Sequence, residues 1–89
     1  MVLSSGERVR AAIAALMQLT GETQADLAAA LGVSQAQVSR RQAGTAPWPL
    51  DDCDRVAAHY AIDVLDLLAG PTRACESLPP TRRRTPQRQ

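Results

Sequence analysis

The chain has 89 residues, which is enough for one compact domain and too few for a binding domain joined to a separate catalytic one. Hydrophobic residues make up 45% of it, charged residues 21% and aromatic residues only 2%, a composition typical of a helix-rich globular protein. The sequence contains no apolar run of the roughly 18 to 20 residues that cross a bilayer, and no secretory signal precedes its two distant cysteines. We therefore expect an all-α protein of the cytoplasm.

The charge is unevenly divided along the chain, although the total is only +1. Residues 1–70 carry five arginines and eight acidic residues, a net charge of −3, whereas residues 71–89 carry five arginines and one acidic residue, a net charge of +4. Every basic residue is arginine, whose forked guanidinium suits phosphates and guanine edges. An all-arginine composition also fits a GC-rich coding sequence, so charge alone does not identify a partner.

The first predicted helix begins at Ser4 and is amphipathic. Glu7, three residues later, can complete a capping box with Ser4, and Gly21 supplies the stop. Between these signals the apolar positions recur at helical spacing and form one face, which consists of Val9, Ile13 and Leu16. This spacing predicts a core helix.

Two short helices are predicted next, joined by a very short connection. Thr23 can cap the first of them, with Asp26 favoured by the helix dipole, and Gly32 ends it. Ser34 can cap the second, with Gln37 as its reciprocal partner. Because the serine follows the glycine by only two positions, the two helices must meet at a steep angle.

A fourth and a fifth helix complete the predicted bundle. Pro49 suits the first turn of the fourth helix, whose apolar face comprises Leu50, Cys53, Val56, Ala57 and Tyr60. Asp63 can cap the fifth, with Ile62 placed to pack against Leu67, and Gly70 followed by proline closes it.

The sequence after Gly70 has a different composition, with four prolines in nineteen residues and almost no apolar content. Such a segment cannot offset the entropy cost of ordering, so we expect a folded domain over residues 1–70 and a basic, disordered tail over residues 71–89. The arginine cluster at residues 82–84 would either serve as a phosphate-binding arm or only keep the chain soluble, and the sequence leaves both open.

Residues 24–44, QADLAAALGVSQAQVSRRQAG, carry the pattern of a helix-turn-helix. Ala28 is small where two helices must cross closely, Gly32 can adopt the positive φ of the turn, and Val38 can anchor the second helix in the core.

This segment, read from the preceding threonine as TQADLAAALGVSQAQVS, resembles the lambda-repressor-like (Cro/repressor, XRE) family of phage and bacterial regulators. Four parts of the family pattern occur here at the expected spacing: Thr-Gln at the entry to the first helix of the motif, Leu-Ala within it, Leu-Gly-Val-Ser at the turn and Val-Ser in the second helix. The resemblance implies a five-helix bundle that binds double-stranded operator DNA, reads its major groove with the helix at residues 34–43, and regulates transcription as a Cro-like or immunity-type repressor. It also implies a site of action at the nucleoid of a bacterial or phage-infected cell.

The resemblance also implies which side chains contact DNA. Four side chains are expected to face base edges, namely Gln35, Ala36, Ser39 and Arg40. We expect all four to face away from the core, and periodicity places Ala36 and Arg40 nearly opposite Val38. Since Gln pairs with adenine and Arg with guanine, Gln35 and Arg40 are the candidate specificity residues. Contacts to the DNA backbone are expected from Thr23, Gln24, Gln37 and Arg41.

Two positions depart from the usual family pattern, in which an apolar residue is common at the position of Arg41 and glutamate at that of Gln42. We expect Trp48 to fold back over this gap, with the Arg41 stem lying along it and the charge reaching a phosphate.

Other functions have less support in the sequence. His59, the only histidine, and Cys53 lie far apart around one helix, so we expect no catalytic dyad, no metal site, no cofactor and no small-molecule ligand. An antitoxin-like regulator that binds a protein partner and a structural bundle that binds no DNA remain as alternatives. A homodimer on a two-fold operator would use the fifth helix through Val64, Leu65 and Leu68.

Overall fold

The computed structural model describes residues 2–84, and within them the chain forms helices and no strands. The helices are α1 (Ser5–Thr20), α2 (Gln24–Leu31), α3 (Gln35–Ala43), α4 (Leu50–Tyr60), α5 (Val64–Ala69) and α6 (Pro71–Ser77), followed by a 3-10 turn at Pro80–Arg82. The predicted all-α fold class is confirmed. The structure adds a sixth helix that the sequence analysis did not predict.

Local side-chain caps set the boundaries of the first helices, as predicted. At α1 the Ser4 hydroxyl accepts a hydrogen bond from the Glu7 backbone N–H at 3.1 Å, and the Glu7 carboxylate accepts one from the Ser4 N–H at 2.8 Å. Thr23 and Asp26 form the same reciprocal pair at α2, at 3.1 and 2.9 Å. These hydrogen bonds lower the pKa of both carboxyl groups, since they stabilise the charged form. Each pair also satisfies two N–H groups that a helix start leaves unpaired.

The core lies between α1 and the later helices. Its largest fully buried side chains include Ile13, Leu16, Leu27, Leu31, Tyr60 and Leu67. Four of the five residues predicted for the apolar face of α4 are buried, but the prediction is wrong for Leu50, which is 71% exposed. Leu50 is the first residue of α4, one turn before Cys53, and most of its side chain faces solvent.

The prediction of a disordered tail from residue 71 is wrong for residues 71–84. Gly70, with φ of 116°, turns the chain and Pro71 occupies the first position of α6, where its fixed φ is favourable. Ala74 and Leu78 then lie on one face of the segment, are 0% and 2% exposed, and pack against a core that includes α1. The folded unit therefore extends past Gly70. The part of the predicted tail at residues 85–89, with Arg88, lies outside the described residues.

A polar cluster attaches the C-terminal segment to the bundle. It consists of Glu22, His59, Tyr60 and Arg82, and we call it the Glu22 cluster. The buried Tyr60 hydroxyl donates to Glu22 Oε1 at 2.9 Å, and His59 Nε2 lies 2.9 Å from Glu22 Oε2. Arg82 donates to the His59 carbonyl at 2.8 Å, and its guanidinium carbon lies 5.8 Å from the centre of the Tyr60 ring. The 3-10 turn is thus held against the end of α4.

The buried phenol of Tyr60 makes folding stability depend on alkaline pH. Burial, followed by the Glu22 carboxylate, raises the pKa of Tyr60 far above its ordinary value of 10.0. Above about pH 10 the unfolded chain therefore loses this proton while the folded protein keeps it. The contribution of Tyr60 to the free energy of unfolding is complete below that pH and should fall by about 1.4 kcal/mol per pH unit above it. Burial raises the pKa of the Cys53 thiol as well, which adds a loss of the same sign.

Urea unfolding of the wild type and of Tyr60→Phe over the alkaline range measures this effect. We expect a shallower decline in the variant, since only the Tyr60 contribution is removed. Equal slopes in the two proteins would contradict the assignment to Tyr60.

Candidate nucleic-acid interface

Helices α2 and α3 pack against each other across a three-residue turn formed by Gly32, Val33 and Ser34. Gly32 adopts φ of 72°, the left-handed region that favours glycine, and caps α2. Ala28 is 3% exposed on α2 and Val38 is fully buried on α3. The small residue, the turn glycine and the buried anchor therefore occupy the places predicted for a helix-turn-helix.

The start of α3 is fixed by its own capping box. The Ser34 hydroxyl accepts from the Gln37 backbone N–H at 3.1 Å, and Gln37 Oε1 accepts from the Ser34 N–H at 2.9 Å. Gly44, with φ of 86°, caps the other end, so both ends of this nine-residue helix are defined.

The outward face of α3 is open to solvent. All four side chains predicted to read bases are exposed, namely Gln35, Ala36, Ser39 and Arg40. Among the described residues the Arg40 guanidinium has no hydrogen bond or ion pair. This face therefore presents a long cationic fork, a hydroxyl, a methyl group and an amide on one capped helix, a set of groups that can recognise base edges.

Three of the four residues predicted to contact the DNA backbone lie at helix starts. Thr23 is exposed and Gln24, the first residue of α2, is half-buried. Gln37 uses its side-chain oxygen in the α3 capping box, which leaves its amide NH₂ as a donor. These three side chains remain compatible with phosphate contacts.

Arg41, the fourth of these residues, is placed differently. Its Nη1 lies 2.6 Å from Asp52 Oδ2, and its side chain is only 14% exposed. Its guanidinium carbon lies 5.2 Å from the centre of the Trp48 ring, and Trp48 is 9% exposed. Trp48 therefore folds back along Arg41 as predicted, but the charge is directed to Asp52. Contact between Arg41 and a phosphate stays a prediction, and it would require this ion pair to open.

Gln42 has a role that the sequence analysis missed. The Trp48 indole N–H donates to Gln42 Oε1 at 2.8 Å, and Gln42 Nε2 donates to the Arg10 carbonyl at 3.1 Å. Its amide thus joins α3 both to α1 and to the loop before α4. A glutamate could accept from the indole but could not donate to the carbonyl, which accounts for glutamine here. The joint presence of Gln42 and Trp48 was the only signal in the sequence.

A family model described as BetR domain matches residues 4–86. The chain belongs to the BetR domain family. This is a family of small helical domains of the DNA-binding type. No curated protein and no solved structure matches the chain.

The match to the BetR domain extends well beyond Gly70. It therefore includes α6 and the 3-10 turn, in agreement with the buried positions of Ala74 and Leu78. The structure and the family comparison both place residues 71–84 with the domain.

Two residues considered for catalysis occupy separate surroundings in this BetR domain. Cys53 is buried beside the Trp48 carbonyl, 3.9 Å from its Sγ, whereas His59 is half-buried and faces Glu22. The structure does not bring them together. Among residues 2–84, no helix has the length and hydropathy needed to cross a membrane.

Proposed function

We propose that this BetR domain is a sequence-specific DNA-binding regulator of the lambda-repressor-like (Cro/repressor, XRE) type. In this proposal α3 enters the major groove of operator DNA, and the bound domain represses transcription by occupying a promoter. The observation that carries the proposal is the outward face of α3, which is polar and capped at both ends, and on which Arg40 has no hydrogen bond or ion pair with the described residues.

The chemistry of this face supports base reading by two residues. Arg40 can bond the O6 and N7 acceptors of guanine, and Gln35 can bond the N6 and N7 groups of adenine, each worth about 1–3 kcal/mol of discrimination. Contacts from Thr23, Gln24 and Gln37 to phosphates would set the register of the domain on the duplex. The Trp48 and Gln42 contacts stabilise α3 in its orientation before DNA binds.

The proposal includes a homodimer through α5 on a two-fold operator. Leu65 is 69% exposed on α5, whereas Val64 and Leu68 are half-buried against the core. Leu65 is therefore the residue of the three best placed to pack against a second copy. Sedimentation of the protein on operator DNA measures the stoichiometry, and strictly monomeric binding would contradict the dimer.

Selection of bound sites from random duplex DNA tests the proposed function, because it yields the preferred motif and any half-site spacing together. Binding is then compared between the wild type and a double variant, Gln35→Ala with Arg40→Ala. We expect the double variant to lose preference for the selected duplex by roughly 30-fold or more, since two bidentate contacts of about 1–3 kcal/mol each are removed.

A matched control is Gln18→Ala with Arg73→Ala, which removes one exposed glutamine and one exposed arginine away from α3. This control should keep the preference of the wild type. Wild-type protein that binds every duplex equally weakly, or a double variant that still discriminates, would overturn the proposed function.

A further inference from the structure

We propose that Arg84, at the end of the described C-terminal segment, supplies a further contact to the phosphate backbone of duplex DNA. This inference rests on the proposed function, since it assigns an additional residue to the same DNA interface. It gives the C-terminal segment a binding role beside the structural role of α6.

The three consecutive arginines of this segment have different surroundings. Arg82 belongs to the Glu22 cluster and donates to the His59 carbonyl at 2.8 Å. Arg83 donates to the Cys75 carbonyl at 2.7 Å. The Arg84 side chain is exposed and has no hydrogen bond or ion pair with the described residues. Arg84 is thus the one of the three whose guanidinium makes no hydrogen bond or ion pair with the described residues, and its whole donor set is open to an external anion.

Arg84 is fixed in position even though its charge is free. Its backbone N–H donates to the Leu19 carbonyl at 2.7 Å, near the end of α1. Its aliphatic stem lies directly on Gly21, because a Cβ at that position would come within 2.8 Å of Arg84 Cδ. The absence of a side chain at Gly21, which also adopts φ of 77°, makes room for this packing. A held backbone reduces the entropy that an arm of this kind would lose on binding.

This anchoring places the positive charge at the turn that leads into α2. Gly21 precedes Gln24 by three residues, so the chain between their Cα atoms spans at most about 11 Å. Arg84 therefore lies at Gly21, a few residues before Thr23 and Gln24, two of the residues assigned to the DNA backbone. The acidic groups of this turn are engaged: Glu22 by His59, Tyr60 and Arg82, and Asp26 by its capping box.

The chemistry of the partner follows from this arrangement. A single exposed guanidinium on a non-helical segment recognises negative charge rather than a base pattern, so its target is a phosphate. Neutralising one phosphate releases condensed counterions and changes the slope of log affinity against log salt by about 0.9. Arg84 should thus contribute equally to operator and to unrelated duplex DNA.

The test is a salt titration of full-length Arg84→Gln on the selected duplex and on a scrambled duplex of equal length. Glutamine keeps part of the stem over Gly21 and removes the charge. We expect the salt slope to fall by about 0.9 on both duplexes, and affinity to fall about eightfold at 0.1 M salt. Arg84→Lys, which keeps the charge, should restore the slope.

Arg73→Gln is the matched control, because it removes one charge from an exposed arginine that is paired with Asp66. This variant should keep the wild-type slope of log affinity against log salt. The comparison therefore distinguishes loss of a phosphate contact from a general effect of lower net charge. If Arg84→Gln has the same slope as Arg73→Gln while the Gln35 and Arg40 double variant loses discrimination, this inference alone fails. If the wild type shows no preference among duplexes, the proposed function fails, and the inference that rests on it fails as well.

Discussion

A chain that ends at Gly70 is expected to lose about 5 kcal/mol or more of folding stability. Truncation removes Ala74 and Leu78 from the core, and loss of a buried leucine alone typically costs 2 to 5 kcal/mol. It also uncovers the α1 surface beneath α6 and takes Arg82 away from Tyr60. Because small domains are stable by only about 5–15 kcal/mol, this loss removes about a third or more of the total stability. Urea unfolding followed by circular dichroism measures the loss.

Two single substitutions in α6 and the residues after it sharpen this test. Leu78→Ala should cost about 2–3 kcal/mol, since the side chain is 2% exposed. Glu76→Gln changes an exposed side chain of α6 and should leave the unfolding midpoint nearly unchanged. A chain truncated at Gly70 that unfolds at the same urea concentration as the full chain would refute the structural role of α6.

Trp48→Ala is expected to lower the free energy of unfolding by about 3–5 kcal/mol. The indole is 9% exposed, lies against the Arg41 guanidinium and donates its N–H to Gln42. Its removal leaves a cavity and also releases two side chains of α3 from their contacts. Trp48→Phe keeps most of the ring and loses the hydrogen bond, so a smaller loss of about 1–2 kcal/mol is expected. Circular dichroism is the suitable probe, because Trp48 is the only tryptophan.

Leu50→Ala provides the control for Trp48. Leu50 lies two residues away and is also a large apolar side chain, but it is 71% exposed. Its replacement should change stability by less than about 0.5 kcal/mol. A loss as large as that of Trp48→Ala would show that proximity to the loop, rather than burial of the indole, governs the effect.

The first three helices could be predicted because their boundaries depend on neighbouring residues. Ser4, Thr23 and Ser34 each bond within their own helix start, so the signals are readable without knowledge of the fold. Helical periodicity about Val38 likewise predicts the exposure of Ala36 and Arg40, which lie nearly opposite it, but not that of Gln35, which precedes it by three positions. The local sequence therefore determined the helix boundaries and part of the exposed surface of α3.

The sixth helix could not be predicted from composition. Its burial depends on Ala74 and Leu78, two apolar residues at helical spacing within a proline-rich and arginine-rich segment. The average composition of that segment conceals Ala74 and Leu78, and alanine itself is only weakly hydrophobic. These residues are buried by contact with α1, which lies far from α6 along the chain, so no local pattern in the sequence indicates it.

The surroundings of Arg41 were missed for a similar reason. Its partner, Asp52, lies eleven residues away on another helix, and only the folded loop brings the two charges to 2.6 Å. Periodicity assigns Arg41 a side of α3 but cannot say whether a carboxylate occupies that side. Pairs formed between elements require the fold before they can be recognised.

The packing of α6 against α1 has a consequence for the order in which the domain is made. Because α1 is synthesised before Ala74 and Leu78, which complete its cover, the native core cannot close while the ribosome still holds these later residues. The apolar surface of the nascent helices therefore stays exposed until nearly all of the described chain has emerged from the ribosome.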